Sequence, residues 1–313
     1  MTGVPDPDGA AEYLLAWKRR LDRLRQPSER LVETVDSGVA ELIADAGRPT
    51  AYTLLLDGAP QSHVDLADPA HLEFEYVRRM AAAIDVVAAR GRAIRTLHLG
   101  GGALTLPRYL AATRPGSAQL VVEVDGKLVE LVRHRLPLKA EDQVQVRVAD
   151  ARAALAGLPE AAYDLVVLDV FAGARTPAHL TSVEFAREVA RVLTPPGWLI
   201  ANIADGPPTA AGPPASSSTA PLRYARGQVA TIRAALPAAC LLTSAAVLAG
   251  RRFGNLIALA GRTPPPVAEL SARIAADLFP GQVVTDLDSF TGDATPVTDR
   301  EAIASPPAPD LLP

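Results

Sequence analysis

Five apolar runs of strand length, "AIRTLHL", "AQLVVEV", "VQVRV", "YDLVVLDV" and "GWLIANI", follow one another through the middle of the chain, separated by stretches in which the apolar spacing turns helical. Runs with few polar interruptions are strands buried on both faces, and strand alternating with helix builds a parallel sheet. The fold class predicted is α/β, a Rossmann-like doubly wound, mostly parallel sheet. Upstream, "RLVETVDSGVAELIADA" and "AYTLLLDGAPQSHVDL" alternate apolar and polar residues and break at Gly47-Arg48-Pro49 and Asp57-Gly58, which predicts a small antiparallel β unit. An amphipathic helix is expected over residues 10–25, its Lys18, Arg19, Arg20 and Arg23 face solvated, and another from about His71 through Ala89. Downstream, "GQVATIRAAL" reads as helix, and "CLLTSAAVLA" and "GNLIALAG" as the strands completing the sheet.

Two stretches fall outside this pattern. Residues 206–221, "GPPTAAGPPASSSTAP", are too poor in large apolar side chains to order themselves and are expected as a flexible insertion; "ASPPAPDLLP" is expected as an unstructured tail. The expected division is therefore 1–70, helix and small β domain; 71–285, the catalytic domain; and 286–313, the tail.

Composition narrows the chemistry. With 313 residues and 49% hydrophobic content a sizeable core is available, and a formal net charge of -4 supplies no basic surplus for a phosphate backbone. No nucleic-acid partner is expected. The single cysteine, Cys240, makes neither a disulfide nor a metal site alone and reads as a buried apolar residue. No secretory signal and no apolar run of membrane-spanning length is read, so a cytoplasmic protein with no membrane partner is expected.

The candidate chemistry begins at "TLHLGGGALTLPRYL". Glycines after a strand let the backbone turn sharply and approach a ligand, and the helix that follows offers unpaired N–H groups. Gly100, Gly101 and Gly102 are thus candidates to hold an adenosine cofactor. Glu123 ends the next strand about 20 residues on, the spacing at which a carboxylate meets ribose hydroxyls. Asp150 ends a third strand, placed either to accept from an adenine amino group or to cap the helix beginning "ARAAL". Asp169 ends the fourth, in "VVLDV". Carboxylates at three successive strand ends, in register with a glycine turn, favour nucleoside binding. Among the histidines, His98 reads as packed in a strand, His134 as solvated on a helix, and His179, which follows Asp169, as structural. No Cys/His spacing suggests a metal.

These segments resemble the spermidine synthase (polyamine aminopropyltransferase) family of the class I S-adenosylmethionine-dependent fold, from about Val32 to Ile203. "LLLDGAPQ" resembles its Leu-Asp-Gly-x-x-Gln segment, which implies that Gln61 contacts the nucleoside. "LEFEYVRR" resembles its Asp-Glu-Phe-x-Tyr-His-Glu helix start, which makes Tyr76 the counterpart of the active-site tyrosine. "VEVDGKLVEL" is similar to its ribose segment, implying ribose for Glu123, and the family places adenine on Asp150. Asp169 matches the family aspartate that helps deprotonate the attacking amine. The resemblance implies S-adenosylmethionine or decarboxylated S-adenosylmethionine as the cofactor, a small-molecule acceptor as partner, and a homodimer.

Two departures bear on the reaction. Where the family has an aspartate holding the cationic amine of the decarboxylated donor, this chain has Ala103; where it has a second, polyamine-anchoring aspartate, this chain has Ala172. A charge-assisted hydrogen bond contributes about 1.5–3 kcal/mol, so losing two weighs against a standard spermidine synthase. Without the first aspartate the donor's α-carboxylate no longer meets a like charge. The expected function is methyl transfer from S-adenosylmethionine to a small nucleophile, with aminopropyl transfer the alternative and a non-catalytic nucleoside-binding protein a second one. Asp205 is the residue that could return the missing charge from another strand end.

Overall fold

The computed structural model describes residues 30–172, 175–207 and 221–307. The helix expected over residues 10–25 lies outside the described residues, as do positions 208–220 of the expected insertion and the last six residues of the expected tail.

Two sheets make up the fold. The first is an antiparallel four-stranded meander in the order β1 (Arg30–Val35), β2 (Gly38–Asp45), β3 (Arg48–Leu56) and β4 (Ala59–Asp65), with two of its turns near the predicted breaks and a third, at Asp36-Ser37, not anticipated. The second has eight strands. β5 (Arg95–Leu99), β6 (Ala118–Glu123), β7 (Val144–Val148), β8 (Tyr163–Leu168) and β9 (Leu193–Asp205) are mutually parallel, while β10 (Ala238–Thr243), β11 (Gly254–Gly261) and β12 (Gln282–Val284) add an antiparallel edge in the order β12-β10-β11-β9-β8-β5-β6-β7. The α/β class and the mostly parallel sheet agree with the sequence.

Helices cover both faces, and the strands divide their side chains between them. Val166 of β8 and Leu199, Ala201 and Ile203 of β9 face one apolar cluster, packed by α5 (Val183–Val192) and α6 (Arg223–Ala235). Leu165, Val167, Trp198 and Ile200 alternate with them and face a second, packed by α1 (Glu75–Val87), α2 (Thr105–Thr113) and α8 (Val267–Ala275). That two-sided burial is why these runs read as continuously apolar. The meander instead buries one face, through Leu42, Leu54, Leu56 and Val64, against α3 (Gly126–Arg135) and the glycine turn.

Asp125 fixes this docking. Only 2% exposed, it caps α3 by accepting from the Leu128 N–H at 2.8 Å, and it accepts from the Asp36 N–H at 3.1 Å, the Ser37 N–H at 2.8 Å and the Ser37 hydroxyl in the β1–β2 turn. Burial opposes its charge, but these donors outweigh burial and hold the carboxyl below its usual range.

Three sequence expectations are corrected. "CLLTSAAVLA" is not one strand: β10 ends at Thr243, and the Ser244 side chain accepts from the Val247 N–H to start the short α7 (Ala245–Leu248). The helix expected over 71–89 is shorter, because the chain is still extended at Phe74 and again at Ala88. The unstructured reading of "ASPPAPDLLP" fails over its described part, 304–307, and residues 286–307 are ordered. They form α9 (Leu287–Thr291), bury Phe290, and run back so that Ser305, 0% exposed, exchanges hydrogen bonds with Thr176: its N–H donates to the Thr176 carbonyl and its hydroxyl accepts from the Thr176 N–H. The segment's Pro and Ala content hides this, because the order comes from backbone groups supplied by a distant loop.

Asp125→Ala is expected to lower stability by about 2–4 kcal/mol, a lost cap plus charge-assisted bonds across the meander. Because the native carboxyl titrates below its unfolded value, the wild-type advantage is present above the ordinary carboxylate pKa and disappears as pH falls through the lowered one. Denaturant melts of both proteins at pH 7 and pH 3 check this.

Candidate active site

The glycine turn leaves the end of β5 and enters α2. Gly100 has φ of +95°, and a Cβ there would lie 2.1 Å from the Asp169 carbonyl oxygen, so only glycine lets the turn pass the end of β8. Gly102 has φ of +50°, and its Cβ position is 2.6 Å from the Ser62 hydroxyl on β4. The Gly101 N–H donates to Glu123 Oε2 at 2.8 Å and the Gly102 N–H to the same oxygen at 3.3 Å, while the Asp125 N–H donates to Oε1 at 3.1 Å. The Ala103 N–H donates to Ser62 Oγ at 3.2 Å.

Around this turn lies a cavity of ≈ 290 Å³. All eight residues singled out from the sequence line it: Gln61, Tyr76, Gly100, Gly101, Gly102, Glu123, Asp150 and Asp169. Gln61 and Tyr76, fifteen positions apart, meet at its wall, where the Tyr76 hydroxyl donates to the Gln61 carbonyl at 3.4 Å. Asp150 does two things at once. Its Oδ1 caps α4 (Ala151–Ala156) by accepting from the Ala153 N–H at 2.9 Å, and its Oδ2 lies 2.7 Å from Nε2 of His179, another lining residue. Burial raises its pKa, and these bonds outweigh burial and lower it.

Asp169 sits in the same cavity under opposite conditions. Its Oδ1 accepts from the Asn202 side-chain N–H at 2.8 Å, and the Asn202 carbonyl oxygen accepts from the Asn255 side chain at 2.9 Å. A neutral amide stabilises a carboxylate less than a cation does, so desolvation prevails and its pKa rises to about 6. Asn202, on β9, has no sequence motif to announce it; only the pairing of β8 with β9 places it beside Asp169.

The remaining candidates fall elsewhere or do other work. Ala103, 1% exposed, belongs to the apolar cluster under the meander and does not line the cavity. The expectation that it borders the donor arm is corrected to this extent: its side chain packs against the sheet. Asp205 does not return the missing charge, because its oxygens accept from the Gly206 N–H at 2.7 Å and the Ala225 N–H at 2.8 Å and it lies outside the lining. Ala172 is exposed. His98 is buried against Gln119, its pKa pushed down to about 4 by burial, and is therefore neutral. His134 is exposed on α3. Among the described residues the cavity presents the carboxylates of Glu123, Asp125, Asp150 and Asp169, and no lysine or arginine lines it.

A methyltransferase domain model matches residues 97–201, the stretch that runs from β5 through the glycine turn to β9. A polyamine aminopropyltransferase of Vibrio vulnificus (strain CMCP6) is 32% identical over 131 residues, which span 41% of this chain and 43% of that protein. The match extends further in three dimensions: a probable spermidine synthase from Corynebacterium glutamicum ATCC 13032 superposes with a TM-score of 0.76 at 29% identity, covering 86% of this chain and 96% of the other. The chain is thus similar to a spermidine synthase in overall fold, and to a polyamine aminopropyltransferase over part of its sequence. A spermidine synthase from Thermotoga maritima shares the fold, with a TM-score of 0.54 at 15% identity. Among the described residues, no helix is long and apolar enough to cross a membrane.

Raising the native pKa of Asp169 above its unfolded value means that the folded state loses stability as pH climbs from about 4 to about 6. Asp169→Asn keeps an oxygen for Asn202 and removes the buried charge. It is expected to raise stability at pH 7–8 by about 1–3 kcal/mol while changing little at pH 4. Melting temperatures measured across that range check it; an equal or lower value for the variant at pH 8 would show Asp169 to be well solvated.

Proposed function

We propose that the chain transfers a methyl group from S-adenosylmethionine to a small-molecule nucleophile. The observation that carries this reading is the meeting, in one cavity, of nucleoside-type carboxylates at the ends of β6 and β7 with a carboxylate of raised pKa, Asp169, at the end of β8 across β5. The donor set suits a nucleoside. Glu123 and Asp150 are acceptors for ribose hydroxyls and an adenine amino group, while Val124, Ala151 and Leu180 offer apolar surface for a ring. Glu123 has about four acceptor positions; the Asp125 N–H occupies one on Oε1, the Gly101 N–H one on Oε2, and Gly102 only weakly uses a third at 3.3 Å. It can therefore take hydroxyls while keeping its hold on Gly101. When bound, the sulfonium supplies the electrophilic carbon.

Asp169 takes the proton of the acceptor. A carboxylate with a pKa of about 6 remains charged at neutral pH yet is a stronger base than a solvated one. Asn202 orients it, and Tyr76 sets the opposite wall. The rest of the work is positioning, since in-line approach to the carbon is what the displacement requires.

Methyl transfer is favoured over aminopropyl transfer because neither Ala103 nor Ala172 can anchor a cationic arm, and Asp205 is spent on backbone N–H groups. A second reading, aminopropyl transfer from the decarboxylated donor, draws support from the acidic lining without lysine or arginine and from the extent of the Corynebacterium match.

Product analysis separates the two. Purified protein incubated with either donor and a panel of amines and hydroxyl compounds is expected to release S-adenosylhomocysteine from the intact donor; methylthioadenosine released from the decarboxylated donor with a diamine establishes the second reading instead. Glu123→Gln is expected to weaken nucleoside binding by about 1.5–3 kcal/mol in calorimetry, and unchanged affinity would remove Glu123 from the ribose. Turnover at saturating donor is expected to rise with pH through about 6, as Asp169 loses its proton, and to become slow and free of that inflection in Asp169→Asn.

A further inference from the structure

We infer that His63, His71 and Glu73 form a binding site for a divalent transition-metal ion, with zinc as its natural probe, at the joint between β4 and the segment that leads into α1. No part of the proposed transfer reaction uses these residues, and none of them lines the cavity. Two imidazoles and a carboxylate are a donor set that zinc accepts, leaving a fourth position for water.

The geometry is close to what binding needs. One donor atom from each residue can be chosen so that all lie within 4.8 Å of one another. Bonds of about 2.0–2.1 Å in a tetrahedron place neighbouring donors roughly 3.3 Å apart. His71 Nε2 and Glu73 Oε2 already stand at 3.1 Å, so the gap left to close, by movement of these two partly exposed side chains, is the one to His63. Its ring faces that of His71 edge-on, with centroids 5.8 Å apart, so small side-chain rotations suffice.

Accessibility and charge point the same way. His63 is 1% exposed and so is held in place, whereas the side chains of His71 and Glu73 are 24% and 29% exposed and open a route from solvent. Asp45 Oδ2 lies 3.6 Å from His63 Nε2, available to orient the ring or to serve as a fourth ligand. Asp65 and Asp68 add negative charge; of the cations near His71, Arg48 is engaged by both, at 2.7 and 3.8 Å, and Arg78 by Asp277 at 2.9 Å.

Position gives the site a consequence. His63 follows Gln61 by two residues on β4, and Glu73 precedes Tyr76 by three at the start of α1. A bound ion therefore ties together the two chain segments whose ends meet at the cavity wall, where the Tyr76 hydroxyl reaches the Gln61 carbonyl. It is a brace for that wall.

The test is zinc competition against a chromophoric chelator, using the full chain after chelator treatment, combined with thermal melts. One zinc per chain is expected, with a rise in melting temperature on binding. His71→Ala and Glu73→Gln, both partly exposed and expected to fold, should each weaken zinc by 10-fold or more and abolish the rise. His134→Ala and His179→Ala should leave both readouts unchanged. No binding at micromolar zinc, binding that survives His71→Ala and Glu73→Gln, or binding lost in His179→Ala overturns the assignment.

Discussion

The arrangement turns on one close approach. At Gly100 the chain passes the end of β8 so tightly that a Cβ would stand 2.1 Å from the Asp169 carbonyl oxygen. That contact sets the distance between the end of β5 and the end of β8. On the other side, Glu123 at the end of β6 holds the next two glycine N–H groups. Three adjacent strand ends are thereby locked together through backbone, and the carboxylates of Glu123 and Asp169 are carried by atoms that cannot drift independently. Any side chain at residue 100 would have to push β8 outward and open the cavity at its base.

Placing Asp169 there costs stability. It is desolvated, and its partner is a neutral amide, Asn202, itself supported by Asn255. A nearby guanidinium would relieve the cost but would also lower the basicity that proton removal needs. Elsewhere the fold uses the opposite solution. Asp65 receives a hydroxyl, a guanidinium and backbone N–H groups, and although burial opposes its charge its pKa is lowered to about 2. Asp125 is likewise surrounded by donors. Asp65 and Asp125 are well supplied with donors, whereas Asp169, at the cavity, has only a neutral amide.

What was legible in the sequence was local or periodic. The parallel strands announce themselves because both faces are buried, and Glu123, Asp150 and Asp169 because a strand end in such a sheet is where ligands gather. The placement of Gln61 and Tyr76 at one site followed from motif resemblance. What stayed hidden depends on contacts remote in the chain. Asn202 reaches Asp169 across 33 positions, Asp125 reaches the β1–β2 turn across 88, and the Ser305 hydroxyl meets Thr176 across 129. Asp150 shows the ambiguity of a single residue: one of its oxygens caps α4, and the adenine role proposed for it would have to share the oxygen that now faces His179.

The most direct measurement is a crystal structure of the chain with S-adenosylhomocysteine bound. The expected result has both ribose hydroxyls on Glu123, the adenine edge beside Asp150, and the amino-acid arm directed toward Asp169 and Tyr76. A nucleoside bound elsewhere, or ribose hydroxyls on groups other than Glu123, would contradict the assignment of this cavity.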